Sequence, residues 1–450
     1  MVWGLISLVF LYLGYKLNSR KLEAEFGTDI HSLPESHDDA ASNPLSYRQT
    51  QLLQFGLTFG IEGFFGAVVG VIYGPLTMIW CILGSVFLGS FLNYYSGMYS
   101  RVHHKSLLSV TEEIFNRRAY IILTLVLSVL LMIVLSVNYA FFVNIAAYAI
   151  KPSEIWYIFL AVVAVIGFIQ SGTFNRICMG VGLFILLTTL YLCIMSITHF
   201  PSIEISANPL NYPNLKFAYP MLFFTVNVGV LSGLQALKST LTAEQVRNER
   251  MGKGVFMATT LFQAGVVIVW ILLLLAWNPS LKVLSAAIAK VAMPDIILHE
   301  YLTVHTGMVG EYAVFAMLAA VCLLSAGVML RMAVKFIKEA QIAPNFSTMT
   351  YGVVLLAISV LFLQCPFVMH GHELINQLIA LYLLYICMYL RKKNQQSYKE
   401  LLYVTYILAG ACIAYLPISL FHLPLIAGVF FGLTATFLIG IWHYYRYNKN

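Results

Sequence analysis

Charged residues are scarce in this sequence. Only 10% of its 450 residues are charged, whereas 60% are hydrophobic, and the mean hydropathy is +0.82. A soluble protein carries roughly 25% charged residues, so this composition excludes a soluble globular domain. The sequence also lacks the alternating apolar and polar pattern of barrel strands. Its apolar runs of about 20 residues instead match helices that cross a bilayer, and they predict an all-α, polytopic membrane protein.

The sequence also lacks the motifs of several enzyme and metal-binding classes. Its seven cysteines include no CxxC pair and lie in or beside apolar runs, as buried hydrophobic cysteines do. His299 and His305 are six positions apart, whereas the zinc-binding histidines of the helical HExxH motif are four apart. No glycine-rich phosphate loop or nucleophile elbow is present. We therefore predict no enzyme activity, no cofactor and no metal site.

The apolar runs define the predicted topology. They predict 13 membrane segments, at 2–15, 51–72, 75–98, 119–149, 155–169, 177–199, 219–237, 254–277, 311–330, 350–365, 373–390, 400–417 and 424–444. With the N-terminus outside, all but four of the 26 Lys and Arg residues fall on the cytoplasmic side; the exceptions are Lys151, Lys216, Lys282 and Lys290. This asymmetry indicates that the C-terminus lies inside, and it explains the net charge of +7 without a nucleic-acid partner. We expect a bacterial cytoplasmic (inner) membrane.

Two of the segments are poor continuous helices. The second contains five glycines at spacings of three or four, from Gly56 to Gly70, and glycine weakens a helix. The seventh contains several small and polar residues around its centre, namely Asn227, Gly229, Ser232, Gly233 and Gln235. Close helix packing through small residues is one interpretation. Because these segments are five helices apart, a 5+5 inverted repeat with paired broken helices is the other.

This repeat predicts how the chain is organised. Its parts are a peripheral first helix and cytoplasmic linker (1–50), a first five-helix repeat (51–199), an outer loop (200–218), a second repeat (219–390) and two peripheral helices (391–450). In carriers of this architecture, the broken helices expose backbone groups to substrate and ions near the membrane midplane. We therefore place substrate between the two breaks, at Gly60, Glu62, Gly63, Asn227, Gly229, Ser232, Gly233 and Gln235.

Glu62 is the one acidic residue of 19 that lies well inside a predicted segment. A carboxylate there costs at least about 2.5 kcal/mol unless it is paired, protonated or facing water. It is either a protonated hydrogen-bond donor to a neighbouring helix or a group that binds the coupling proton or the substrate. By contrast, Lys238 is interpreted as a snorkelling anchor at the cytoplasmic end of the seventh helix. Asn93, Asn138 and Asn144 are interpreted as interhelical hydrogen-bonding residues.

Three stretches resemble the carbon starvation protein A family of bacterial inner-membrane transporters. They are GVIYGPLTMIWCILGSVFLGSFLNYYSGMYSRVHHKSLLSV at 70–110, LSGLQALKSTLTAEQVRNERMGKGVF at 231–256 and LLSAGVMLRMAVKFIKEA at 323–340. The residues that keep the family pattern in the last two are Ser232, Gly233, Ala236, Ser239, Asn248, Glu249, Ser325, Arg331 and Ala333. The resemblance implies secondary transport of pyruvate or small peptides and a fold akin to the amino acid–polyamine–cation superfamily.

This sequence departs from that family at polar positions. The family's His-Asp pair falls on Leu92 and Asn93, and its helix 7 histidine falls on Gln235. The helix 7 Gln and Pro fall on Lys238 and Thr240, and an expected acidic residue falls on Gly327. Glu62 stands where a small residue is expected. The family's ion coupling is therefore not carried over to this chain.

The leading hypothesis is a symporter for a small organic solute, pyruvate or a short peptide. Glu62 and Ser325 are the predicted ion-coupling residues, with a proton favoured and sodium left open. Half-helix N-termini would receive the substrate carboxylate. The alternative is a membrane sensor or scaffold that kept the fold and transports nothing. A membrane enzyme and a channel are weaker alternatives, since no catalytic spacing and no pore signature are found.

Overall fold

The computed structural model of the chain describes residues 6–16, 26, 45–70, 74, 76–147, 151–199, 232–277, 294–363, 367–421 and 425–447. Every regular element within these ranges is helical. The helices are α1 (Ile6–Lys16), α2 (Tyr47–Thr58), α3 (Ile61–Gly70), α4 (Leu76–Gly84), α5 (Ser90–His103), α6 (Val110–Ile114), α7 (Arg117–Ala146), α8 (Pro152–Phe168), α9 (Ser171–His199), α10 (Gly233–Ala243), α11 (Thr259–Trp277), α12 (Pro294–Glu339), α13 (Thr348–Phe362), α14 (Phe367–Lys393), α15 (Lys399–Phe421) and α16 (Leu425–Tyr447). A π-helical turn at Ser85–Gly89 joins α4 to α5, and another at Lys253–Ala258 precedes α11.

Helix length and composition identify the membrane-crossing elements. Among the described residues, seven helical stretches are long and apolar enough to cross a bilayer: Thr77–His103, Arg117–Ala146, Ser171–Ser196, Glu249–Ala276, Thr306–Glu339, Glu373–Lys393 and Lys399–Leu416. Four shorter apolar helices accompany them, at Ile6–Lys16, Glu154–Phe168, Thr348–Phe362 and Phe430–Ile441. Each overlaps a predicted segment, and the two predicted segments left over are the second and the seventh. The all-helical, multi-pass class is confirmed, whereas the total of 13 spans stays a prediction.

The second predicted segment is interrupted. Helix α2 ends at Thr58, Phe59 adopts an extended conformation (φ −76°, ψ 91°), and α3 begins at Ile61. Gln263 of α11 donates a hydrogen bond to Thr58 Oγ1 and another, of 3.4 Å, to the Phe55 carbonyl. Gln263 thus satisfies two oxygen atoms at the interrupted end of α2, so these atoms have a protein partner inside the membrane. The break predicted within 51–72 is confirmed.

The seventh predicted segment is described only from residue 232. Ser232 is extended (φ −132°, ψ 131°) and forms the N-cap of α10, which continues from Gly233 to Ala243. The helix therefore ends six residues beyond the predicted boundary at 237. Asn227 and Gly229, two predicted substrate-binding residues, lie outside the described residues. Helix α12 continues to Glu339, nine residues beyond the predicted segment 311–330, and is kinked at Gly307 (φ 64°).

Several contacts between helices occur in equivalent pairs, one from each predicted repeat. Helices α7 and α12 pack along each other. The first half-helix, α2, packs on α9, and α10 packs on α14. Helix α7 also contacts α13, and α12 contacts α8. The contact of α2 with α9 corresponds to that of α10 with α14, and the contact of α7 with α13 corresponds to that of α12 with α8. The described cysteines are free and mostly buried, as predicted, and Cys365 lies outside the described residues.

The glycines of the second segment divide between two roles. Gly56 faces the Cys178 carbonyl on α9 so closely that a Cβ atom would clash with the backbone, and Gly182 faces Gly56 in return. Gly70 is covered by Thr77, whose hydroxyl donates a 2.5 Å hydrogen bond to the Gly70 carbonyl. These positions follow the packing interpretation. Gly60, by contrast, lies in the helix break.

Candidate functional site

Glu62 lies in the first turn of α3, directly after the break, and is 9% exposed. Its carboxylate folds back over Gly60, where a Cβ atom would overlap the Glu62 Oε2 atom. Gly60 thus provides the space that the carboxylate occupies. An acidic group near a helix N-terminus is favoured by the helix dipole. The break and Glu62 therefore form one structural unit, as the sequence predicted.

Lys238 lies beside this unit and was misinterpreted from the sequence. It is 1% exposed, in the interior of α10, and its Nζ atom makes a long hydrogen bond of 3.5 Å to Ser325 Oγ of α12. It also interacts electrostatically with Glu62. The snorkelling interpretation is wrong because a snorkelling ammonium group would reach water. Glu62, Lys238 and Ser325, from three different helices, form a cluster that we call the charge cluster.

The N-terminus of α10 lies against α14. Ser232 Oγ accepts a hydrogen bond from the Gln235 N–H (3.3 Å) and donates one to Asn376 Oδ1 (2.6 Å), which also accepts from the Leu234 N–H (3.4 Å). Gly233 sits so close to the Ala380 backbone that a side chain would clash. Two backbone amides at this helix N-terminus are therefore already bonded, and a carboxylate would bind them only by displacing Asn376 from the Leu234 N–H and the Ser232 hydroxyl from the Gln235 N–H.

Two buried polar contacts join neighbouring helices. Gln54 Nε2 of α2 donates a 2.8 Å hydrogen bond to Ser239 Oγ of α10, and both residues are fully buried. Asn93 Nδ2 of α5 donates a 2.7 Å hydrogen bond to Thr260 Oγ1 of α11. The interhelical role predicted for Asn93 is confirmed. Asn138 instead donates to the Val134 carbonyl of its own helix, so its predicted interhelical role is wrong.

Charged contacts gather beyond the charge cluster, toward the last turns of α5, α10 and α12. Arg101 and Glu249, both buried, approach within 3.8 Å, and Lys335 pairs with Glu244. Arg331 donates to the Ile169 carbonyl (2.9 Å) and to Ser171 Oγ (2.7 Å) at the α8–α9 turn. These residues connect helix ends to one another. Those from the family-like stretches, Glu249 and Arg331, thus have a structural role here.

Two further predicted site residues, Gly63 and Gln235, lie outside the charge cluster. Gly63 packs against Phe59 and Val267, with its N–H bonded to the Gly60 carbonyl at 3.2 Å. Gln235 is 4% exposed, in the first turn of α10. Across the described residues, no three His, Cys, Asp or Glu side chains lie close enough to hold a metal ion.

Sequence reasoning missed Lys238 and Asn376. The Ser232-Gly233 pair is an N-cap signal, and a helix started there would have placed Lys238 in its second turn, far from either end. Asn376 is a polar residue inside the eleventh apolar run, and intramembrane polar residues are commonly interhelical. Both signals were present in the sequence, but the partners of each residue were not identifiable from it.

Gly60→Ala is expected to displace the Glu62 carboxylate, since the new methyl group would occupy its place. Displacements of this size at a functional site cost roughly tenfold or more in rate, so any activity that depends on Glu62 should fall by about that factor. The matched control is Gly180→Ala, with no atom within 4 Å of the new Cβ. Equal activity of the two variants would contradict this assignment.

Asn376→Leu is expected to lower the free energy of unfolding by about 1–3 kcal/mol, because the Leu234 N–H and the Ser232 hydroxyl lose their acceptor in a buried place. Thermal unfolding in detergent measures this. Asn376→Asp keeps an acceptor oxygen at the helix N-terminus and should lose less. Equal losses in the two variants would show that Asn376 does not cap α10.

Comparisons with known proteins agree with a membrane protein and identify solved structures that share its fold. No family model matches the chain. The chain is 23% identical over 350 residues to an uncharacterized membrane protein of Haemophilus influenzae, covering 64% of this chain and 94% of that protein. Two solved structures of variants of the Eremococcus coleocola manganese transporter are 12% identical and cover 93% of this chain and 97% of theirs, with TM-scores of 0.58 and 0.57. At this identity, the likeness establishes a shared fold.

Proposed function

We propose that the chain is a secondary active carrier that moves a small organic anion together with a proton. The observation that carries the proposal is the charge cluster. A buried acid and a buried base lie within Coulombic range of each other beside a helix break, and carriers with paired broken helices bind substrate and coupling ions at such breaks. Ionisable groups are expensive inside a membrane, and those present there are functional by default.

The charge of Lys238 favours an anionic substrate. An ammonium group in a low-dielectric site attracts a carboxylate and repels a metal cation. The solved neighbours are manganese transporters by name. In this chain, the described residues supply no cluster of metal ligands, and the charge of buried Lys238, which lies within Coulombic range of Glu62, would oppose Mn²⁺. Pyruvate, or a short peptide with its terminal carboxylate, is the substrate class that we propose.

Competition for Lys238 would couple the anion to the proton. Without substrate, the Glu62 carboxylate interacts with the Lys238 ammonium group. A substrate carboxylate that binds Lys238 replaces Glu62 as its counter-ion. Two carboxylates that share one cation do not both stay ionised, so Glu62 takes up a proton. Ser325 holds the ammonium group, and the cluster keeps its net charge through the cycle. Glu62 alone can therefore bind a proton as the coupling ion, whereas a sodium ion would require its own set of oxygen ligands.

The paired contacts between helices support the 5+5 inverted repeat as part of this proposal. Contacts of α2 with α9 and of α10 with α14 correspond under such a repeat, as do those of α7 with α13 and of α12 with α8. Both π-helical turns also fall in the segment that follows a member of the proposed pair, with Ser85–Gly89 inside the third predicted segment and Lys253–Ala258 at the start of the eighth. The N-outside orientation in a bacterial inner membrane remains the orientation proposed from the Lys and Arg distribution.

Uptake by proteoliposomes tests the substrate class. Labelled pyruvate, a labelled dipeptide and Mn²⁺ would each be offered to the same preparation, with and without an inward proton gradient. We expect gradient-stimulated uptake of pyruvate or the dipeptide and none of Mn²⁺. Uptake of Mn²⁺ alone would overturn the anion proposal while keeping a carrier. No uptake of any solute by folded protein would favour the sensor or scaffold alternative.

A further inference from the structure

A long apolar groove lies on the outside of the bundle, between α1, α9 and α11. One cavity of about 440 Å³ occupies it, within the range of roughly 300–1,000 Å³ that ligand pockets have. A second cavity of about 450 Å³ shares Ala258 and Phe262 with the first and extends the groove toward α2. Residues that line the first cavity include Leu8, Leu11, Gly265, Val266 and Val269.

Two cations stand beside one end of this groove. The Lys16 ammonium group lies 5.0 Å from the ring centre of Tyr12, and the Lys253 ammonium group lies 5.4 Å from that of Tyr15. Both tyrosines line the first cavity. Lys16 is the last residue of α1, and Lys253 is the first residue of the π-helical turn before α11. Because Lys253 lies over Tyr15, the residue before Lys16, both lysines lie at the same end of the groove. The groove is thus apolar along its length and has two lysines and two tyrosines at one end.

We propose that the groove binds one anionic phospholipid, whose acyl chain lies along α1 and α11 and whose phosphate lies between Lys16 and Lys253. Hydrocarbon alone would not select a ligand, since every lipid offers it. The two lysines supply the selection, because each cation near the headgroups favours an anionic lipid by about fivefold. In the proposed orientation this end faces the cytoplasmic leaflet, where anionic lipids attract basic residues. The bound lipid would fasten α1, which touches the bundle at Gly14 against Val86.

Native mass spectrometry of the purified full chain would test the headgroup part of this proposal. Phosphatidylglycerol and phosphatidylcholine with identical acyl chains would be added at equal concentration. We expect wild type to retain one phosphatidylglycerol with at least roughly a tenfold preference. The double variant Lys16→Gln/Lys253→Gln should lose that preference, whereas Lys105→Gln, an exposed lysine on another connection, should keep it. No preference in wild type, or an unchanged preference in the double variant, would overturn the proposal.

A second variant tests the groove itself. Gly265 lines the first cavity, and only Leu8, at 3.9 Å, lies near its missing Cβ, so the Cβ of Gly265→Phe fits without a clash and the ring would occupy the groove. Binding of both lipids should then fall. Gly180→Phe, on an open surface of α9, is the matched control, and thermal unfolding would confirm that both variants are folded. Retention of the lipid by Gly265→Phe would overturn the assignment. These outcomes do not depend on whether the chain transports an anion.

Discussion

Glu62→Gln is expected to reduce uptake driven by an inward proton gradient to the level of empty liposomes. The amide keeps the shape of the side chain but takes up no proton, so the gradient can no longer be used. Exchange of labelled for unlabelled solute across the membrane should continue, because Lys238 is still present to bind the carboxylate. Affinity for the solute should rise, by roughly tenfold if Glu62 competes for Lys238 with about 1.4 kcal/mol. Uptake and counterflow by the same proteoliposomes measure both effects.

The exchange measurement serves as the folding control for Glu62→Gln. A variant that exchanges solute is folded and inserted, so its failure to use the gradient reports on coupling. If gradient-driven uptake survives the substitution, Glu62 is removed from the coupling mechanism. If exchange and gradient-driven uptake are lost together in a folded variant, Glu62 binds the solute directly, and competition for Lys238 is wrong.

Lys238→Met is expected to abolish binding of the anionic solute and to destabilise the protein. Removing the Lys238 charge deprives buried Glu62 of the Coulombic stabilisation that Lys238 gives it, and the cost of breaking a contacting buried pair, roughly 3–5 kcal/mol, is the upper limit. The methionine side chain has a similar length and fits an apolar site, so the cost reports on charge and not on a cavity. Thermal unfolding and solute-induced stabilisation, measured on the same sample, separate the loss of stability from the loss of binding.

The double variant Glu62→Gln/Lys238→Met is the decisive comparison for the pair. If the two charges interact as the structure places them, the double variant should recover most of the stability that either single variant loses, since no buried charge remains. It should stay inactive in anion uptake. Additive losses of stability would show that Glu62 and Lys238 are energetically independent, and the charge cluster would then be no functional unit.

Much of the architecture could be predicted because it depends on local composition. Apolar runs indicate membrane helices, and the repeated glycines with Glu62 indicated the break that now separates α2 from α3. Local sequence could not separate Gly56, which packs, from Gly60, which lies in the break. That distinction depends on Cys178 of α9 in one case and on the Glu62 carboxylate in the other.

The candidate site was only half predictable, for a related reason. Glu62 was identified from its position and Ser325 from the family resemblance, but Lys238 looked like an interfacial lysine because the seventh segment was predicted to end at 237, six residues before the end of α10. The partner of Ser232, Asn376, is 144 residues away in the chain. Contacts at that separation follow from the helix arrangement, and a single sequence carries no record of which polar residues face each other.

The most direct test of the account is the internal pH of proteoliposomes when labelled pyruvate or a labelled dipeptide is added without an imposed gradient. A pH-sensitive dye inside the vesicles would be read together with the label, and empty liposomes would correct for passive diffusion. A carrier that exchanges the Lys238 counter-ion for substrate and protonates Glu62 should acidify the interior as the label enters. Entry of label at constant internal pH, or no entry of either solute, would contradict proton-coupled anion transport by the charge cluster.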